Sequence, residues 1–142
     1  MSDFNEAIIA EFRAHGGRVG GPFEGVSVLL LSTTGAKSGA QRTTPVVYMQ
    51  DGERWIVFAS KAGAPTNPAW YHNLLATPTA RIEVGTVSVE VRAEVLTGAE
   101  RDRLFERQAV RHPQFDEYAA NTSRVIPVLA LSTQSKLEPV AP

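Results

Sequence analysis

No cysteine occurs among the 142 residues, which excludes a disulfide framework and any thiolate chemistry. Long apolar runs are missing as well. Nothing approaches the roughly 18 residues that a membrane-crossing helix needs, and no signal-peptide pattern opens the chain. The expected address is therefore cytoplasmic. His15 and His72 lack carboxylate or cysteine partners at metal-ligand spacing, so no metal is expected. Aromatic residues make up only 8% and net charge is −1, which argues against a nucleic-acid surface. What is present is ordinary for a globular protein: 43% hydrophobic and 20% charged residues, in a length that closes one core in one domain.

Negative charge is scarce in a particular place. Of the chain's 15 acids only Asp51 and Glu53 lie between Gly25 and Ile82, where Lys37, Arg42, Arg54, Lys61 and Arg81 also fall. Both acids belong to the turn "QDGE". The central third is thus locally positive and suited to an anion, although chance clustering gives the same count.

Periodicity supplies the elements. Asp3 to Ala14 has Phe4, Ala7, Ile8 and Phe12 at helical spacing, which predicts an amphipathic helix covering the core. Its apolar face leaves peripheral contact with the inner face of the membrane open. "HGGRVGGPFEG" follows as a loop. Strands are expected at Val26–Ser32, Pro45–Met49, Arg54–Ala59, Arg81–Val84, Val87–Val95 and Val125–Leu131, with Asp51-Gly52 as a hairpin turn and Pro127 marking an edge or bulge. Val87, Val89, Val91 and Val95 alternate with Ser88, Glu90, Arg92 and Glu94, as in a hairpin with one wet face. Asn67 reads as the N-cap of a helix with Pro68 in its first turn and Pro78 as its stop. Thr97 and Glu100 stand at capping-box spacing before a second helix. "HPQFDEYAANT" restarts helix after Pro113. About six strands, mostly hairpin-linked, with helices at ends and crossovers make a small antiparallel barrel of mainly β, α+β class. Residues 1–25 form the helix and approach, 26–132 the barrel, and 133–142 a tail.

One loop is overequipped for turning. "LSTTGAKSGAQRTTP", Leu31 to Pro45, holds Ser32, Thr33, Thr34, Ser38, Thr43 and Thr44 together with Lys37 and Arg42. Backbone amides, hydroxyls, an ammonium and a guanidinium are what a phosphoester needs. Gly35 and Gly39 allow close backbone approach. The pattern is neither a Walker loop nor a dinucleotide fingerprint, and a solvated hydroxyl-rich turn remains the alternative. "ASKAGAP" adds Ser60 and Lys61. If the barrel brings these strand ends together, three cations converge. Trp70 and Tyr71 in the next helix offer a platform for a flat ligand, or simply pack into the core.

"LLLSTTGAKSGAQRTTPVVY", "VFASKAGAPTNPAWYHNLLATP" and "HPQFDEYAANTSRVIPV" together resemble the deazaflavin-dependent nitroreductase and quinone reductase family, actinobacterial enzymes that use coenzyme F420. The likeness runs from about Arg13 to Leu131. It implies a split β-barrel related to the FMN-binding split barrels, with the deazaflavin in a groove across the strands. It further implies that Lys37, Ser38, Arg42 and Lys61 hold the cofactor's phosphate and acidic tail. Thr44, Pro45, Ala59 and Ser60 would line its ring and ribityl chain, and Asn67, Pro68 and Trp70 would close the groove.

The implied activity is hydride transfer from reduced F420 to a small quinone-like or nitroaromatic acceptor. Tyr118 and Ser60 are the candidate proton donors. Tyr48, His112, Phe115 and Tyr118 are the candidate substrate residues. His112 and Phe115 depart from the tyrosine cluster found in some members, which puts nitro-drug reduction in doubt. A non-catalytic deazaflavin carrier and an FMN-dependent barrel oxidoreductase stand as alternatives. Monomer and homodimer are both open.

Overall fold

The computed structural model describes residues 3–21 and 26–133, with the side chains of Asp3, Phe4 and Ala62 excepted. The expectations for Phe4, for the middle of the glycine-rich approach and for the tail therefore lie outside the described residues.

Helix α1 (Asp3–Ala14) precedes β1 (Val28–Thr34), β2 (Gln41–Asp51) and β3 (Arg54–Phe58). A 3-10 turn at Lys61–Gly63 leads to α2 (Ala69–Ala76), then β4 (Thr79–Val84) and β5 (Val87–Leu96). Helices α3 (Gly98–Arg111) and α4 (Gln114–Ala120) come before β6 (Val128–Thr133). The strands close an antiparallel barrel in the order β1-β2-β3-β6-β5-β4.

Strand composition follows from which faces are covered. Leu29, Leu31, Val46, Val57, Ile82, Val91, Leu129 and Leu131 come from all six strands and share one buried cluster, the barrel interior, with Trp70 and Leu74 of α2. The intervening residues of β1, Val28 and Leu30, pack beneath Phe12 of α1. Those of β3 and β6, Ile56, Phe58, Val128 and Ala130, pack beneath Leu104, Phe105 and Phe115 of α3 and α4. Strands buried on both sides read as continuous apolar runs, whereas β5 keeps one wet face and alternates. The apolar residues of α1, Ile8 and Phe12, are 6% and 1% exposed, so its apolar face supplies core. Peripheral membrane contact through this helix finds no support in that packing. No helix among the described residues is long and apolar enough to cross a membrane.

Several boundaries differ from expectation, each for a tertiary reason. β1 runs on to Thr34 and β2 starts at Gln41, because seven residue pairs from Val28↔Val47 to Thr34↔Gln41 continue the ladder. The polar loop shrinks to Gly35–Ala40. Pro45 consequently lies inside a strand, but β2 pairs with β3 only from Tyr48. Over Gln41–Val47 it has one partner, so the missing N–H of proline falls where the ladder has a free side. That free side opens the cleft described below. Pro127 stands just before β6, its carbonyl accepting from the Ala59 amide at 2.9 Å.

Neither expected helix cap forms. Pro68 occupies the N-cap of α2, because the Asn67 amide oxygen is taken by Arg124 Nη1 at 2.7 Å. Thr97 caps α3 without a side-chain bond, and Glu100 binds Arg54 at 3.0 Å instead of reaching back.

Candidate functional site

A groove of two adjoining basins crosses the barrel where β2 loses its second partner. The first, about 780 Å³, is lined by the Gly35–Ser38 tip, Arg42, Thr43, Thr44, Ala69, Trp70, His72 and Asn73. The second, about 710 Å³, is lined by Thr44 to Val47, Phe58, Ser60, Lys61, Pro68, Ala69, Trp70, Phe115 and Tyr118, with Asn5, Val26 and Gln114 at its margin. Thr44, Ala69 and Trp70 belong to both, so Trp70, 7% exposed, is at once core and dividing wall.

The loop at the head of the first basin is built almost wholly from internal bonds. The Gly35 amide donates to Ala40 O at 2.7 Å and the Gly39 amide to Gly35 O at 2.9 Å. Gly39 makes this turn at φ +73°, a conformation that side chains disfavour. The Ala36 amide donates to Asn73 Oδ1 at 2.9 Å, and the Ala40 amide to Ser38 Oγ at 3.1 Å.

The hydroxyls brace the hairpin in the same way. Ser32 and Thr43 bond each other at 2.8 Å, Thr34 Oγ1 accepts from Gln41 at 3.0 Å, and Thr33 Oγ1 accepts from Asn73 Nδ2 at 3.0 Å. Of the six hydroxyls only that of Thr44 has no partner among the described residues. The amides of Lys37 and Ser38 are likewise left over, and neither Lys37 nor Arg42 makes a side-chain hydrogen bond or ion pair among the described residues. Among the described residues the free donors therefore gather along one basin, where two amides and two unpaired cations could hold an anion.

The three cations are distributed over the two adjoining basins. Lys37 and Arg42 line the first basin and Lys61 the second. Lys61 Nζ bonds Thr66 Oγ1 at 3.3 Å. Trp70, Ala69 and Thr44 line both basins.

The second basin is apolar and aromatic. Phe115 stands edge-on to Phe58 at 5.5 Å between centroids and to Tyr118 at 5.2 Å. The hydroxyls of Ser60 and Tyr118 have no hydrogen-bond partner among the described residues. Tyr48 is not brought here. It lines a separate cavity with Glu11, His15 and Arg18, and burial raises its hydroxyl pKa. His112 caps α3 and lines neither basin. Ala59 is fully buried and lines neither basin; its carbonyl accepts from Arg124.

Two residues that sequence reasoning missed hold the walls. Asn73, 8% exposed, ties the anion loop to β1 and α2; its signal was an amide on the buried stripe of Trp70 and Leu74. Arg124 donates to the carbonyls of Ala59 (3.0 Å), Ser60 (2.8 Å) and Ala64 (2.9 Å) and to Asn67 Oδ1 (2.7 Å). Desolvation lowers its pKa, since every acceptor is neutral. Nothing in "NTSRVIPV" distinguishes this arginine from a surface one.

A barrel with an unpaired cationic tip at one end of a groove and an aromatic cleft at the other is a binding protein for a flat, anionic organic cofactor. A family model described as F420H(2)-dependent quinone reductase matches residues 6–133, and the chain belongs to that family. An F420H(2)-dependent quinone reductase of Mycobacterium tuberculosis is 39% identical over 127 residues, 87% of this chain and 85% of that protein. A solved F420-H2 dependent reductase is 34% identical with a TM-score of 0.68, over 74% of this chain and 93% of its own. A chain solved as a domain-swapped dimer is 29% identical with a TM-score of 0.71, over 89% and 95%. The chain is an F420H2-dependent oxidoreductase with coenzyme F420 as its cofactor.

The residues present fit that group. A phosphoester needs uncompensated donors, which Lys37, Arg42 and the loop amides supply; a tricyclic ring needs apolar neighbours, which Pro45, Pro68 and Trp70 in the second basin supply. Among the described residues no group of His, Asp and Glu could hold a metal.

Proposed function

We propose that the protein reduces a quinone-like acceptor in the aromatic basin, at the expense of F420H2. The observation that carries this reading is the joined groove itself. Its cationic basin adjoins an aromatic slot that carries two hydroxyls, Ser60 and Tyr118, with no hydrogen-bond partner among the described residues. Lys37, Ser38 and Arg42 would hold the phosphoester and acidic tail, while Thr44, Pro45, Pro68 and Trp70 would flank the ring and its chain.

Bound F420H2 supplies a hydride. The chain supplies position, dryness and a proton. Phe58, Phe115 and Trp70 give the slot apolar walls, and a ring and acceptor filling it would displace water and so strengthen any dipole acting inside. Hydride arrival makes a quinone oxygen anionic, and the hydroxyl of Ser60 or Tyr118 donates the proton that completes reduction to the quinol. A nitro group is a poorer fit, because its first two-electron step must also break an N–O bond and expel water, a cleavage that a quinone does not require.

Anaerobic mixing of the enzyme with F420H2 and menadione tests the proposal, with a nitroaromatic in a parallel arm. Faster oxidation of F420H2 with menadione than with the nitroaromatic is expected. F420 binding without menadione-dependent turnover would replace this reading with that of a deazaflavin carrier.

A further inference from the structure

The wall of the aromatic basin that carries Ser60 is an irregular segment, Ala59 to Asn67, between β3 and α2. Such segments move unless something ties them. Four of its polar atoms end on one guanidinium. Arg124 binds the carbonyls of Ala59 and Ser60 on one side of the turn, and the Ala64 carbonyl and Asn67 Oδ1 on the other. Between these anchor points Lys61 has φ +47°, a left-handed conformation that a lysine adopts only when its surroundings impose it.

The other side of the turn presses on α4. Gly63 has φ +81°, and a Cβ there would lie 2.9 Å from the Tyr118 carbonyl oxygen and 3.0 Å from its Cα. The backbone carrying Ser60 and the helix carrying Tyr118 are thus in contact on one face, and Arg124 grips the turn on its own side.

We infer that Arg124 is a positioning residue. By clasping both limbs of the Ala59–Asn67 turn it holds the Ser60 wall at a fixed spacing from the Tyr118 wall, and so sets the width of the acceptor slot. The charge is matched to this task. A guanidinium offers five donors in a rigid fork and reaches acceptors on two limbs at once, which an ammonium on a flexible stem cannot do. No carboxylate bonds Arg124 among the described residues, so all four bonds act on the turn. The kinetic part of this inference rests on the function proposed above; the clasp itself does not.

Arg124→Lys and Arg124→Met separate the two. Limited trypsin digestion of the free protein reads the clasp, because Lys61 is exposed and lies inside the turn. Cleavage after Lys61 is expected to rise about tenfold in both variants, while cleavage after Lys37, in the separate anion loop, stays within twofold and controls for general unfolding. Equal rates at Lys61 in wild type and variants would overturn the inference, and so would a parallel rise at both sites.

Kinetics with F420H2 and menadione read the slot. A fall in kcat of about tenfold or more is expected, with the dissociation constant of F420 within threefold of wild type. Rates are divided by the F420-binding stoichiometry, so that a smaller folded fraction cannot produce such a split. Faster cleavage at Lys61 with unchanged kcat would leave the clasp standing and overturn the assignment of this slot to the acceptor.

Discussion

Replacing Asn73 by leucine removes the side chain that, among the described residues, bonds the Gly35–Ala40 loop to α2 and α2 to β1. Leucine keeps the number and branching of the heavy atoms but is bulkier, so no cavity opens and the loss is chiefly polar with some overpacking. Two bonds disappear: Ala36 N–H to Oδ1 and Nδ2–H to Thr33 Oγ1. Thr33 is 1% exposed, so its hydroxyl finds no water in exchange. Each of the two bonds contributes about 1 kcal/mol, and a buried group left unsatisfied costs about 1–3 kcal/mol, giving a total loss of about 3–5 kcal/mol. For a domain of this size that is a melting temperature lower by about 10 °C. Calorimetry or dye-monitored melting reads this directly. Thr33→Val in the same background supplies the check, since the double variant should lose about 1 kcal/mol less than the sum of the singles. Fluorescence titration with F420 should show affinity down by about threefold to tenfold, because the Lys37–Ser38 tip is no longer held against α2. A melting shift under 2 °C, or full additivity with Thr33→Val, would refute the assignment of Asn73 as the tether.

Lys37→Ala and Arg42→Ala should each weaken F420 binding by about tenfold, near 1.4 kcal/mol, with the loss shrinking at high salt; melting should move by about 1 °C or less, since neither residue has a side-chain hydrogen bond or ion pair among the described residues. Unchanged affinity in the titration would remove the anion site. Gly63→Ala should cost about 2–3 kcal/mol from its left-handed backbone and the approach to Tyr118, against about 1 kcal/mol for Gly52→Ala, where φ is +62° and nothing lies within 4 Å; equal melting shifts would mean that the turn yields freely. Asp51 has its pKa held below the ordinary 3.8, chiefly by the hydrogen bond from Arg54 and then by that from Arg107. Its contribution is fully present above pH 3.8 and is lost as pH falls through the depressed folded value, so Asp51→Asn should flatten the acid limb of a melting-temperature profile below about pH 4. A parallel, unflattened limb would show that this cluster contributes nothing to acid stability.

The barrel was legible because its signals are local. Apolar runs at Val28–Leu31 and Val128–Leu131, clean alternation in β5, and Asp51-Gly52 between β2 and β3 each report on a neighbourhood of a few residues. Errors fell at element ends, where a side chain had a competing partner elsewhere in the chain. Asn67 has the composition of a cap but bonds Arg124, 57 residues away. Glu100 stands at capping-box spacing but meets Arg54, 46 residues back. The hydroxyl-rich stretch was visible as polar and cationic, yet composition could not say which donors the hairpin consumes. Thr33 and Thr44 look alike in the sequence. One faces inward to Asn73, and the other lies on the open side of β2.

The order of apolar and polar residues by itself determined a small antiparallel barrel, its covering helices, and a positive, acid-poor centre, because hydrophobic periodicity and turn chemistry act over a few residues at a time. Closure of the barrel decided the rest. Among the described residues it left Lys37 and Arg42 unpaired in one basin, put Lys61 in the adjoining one and Tyr48 and His112 in neither, and brought Arg124 against four acceptors 57 to 65 residues distant. Those outcomes depend on which of several competing hydrogen-bond partners three-dimensional packing brings within 3 Å, and spacing along the chain carries no record of that competition.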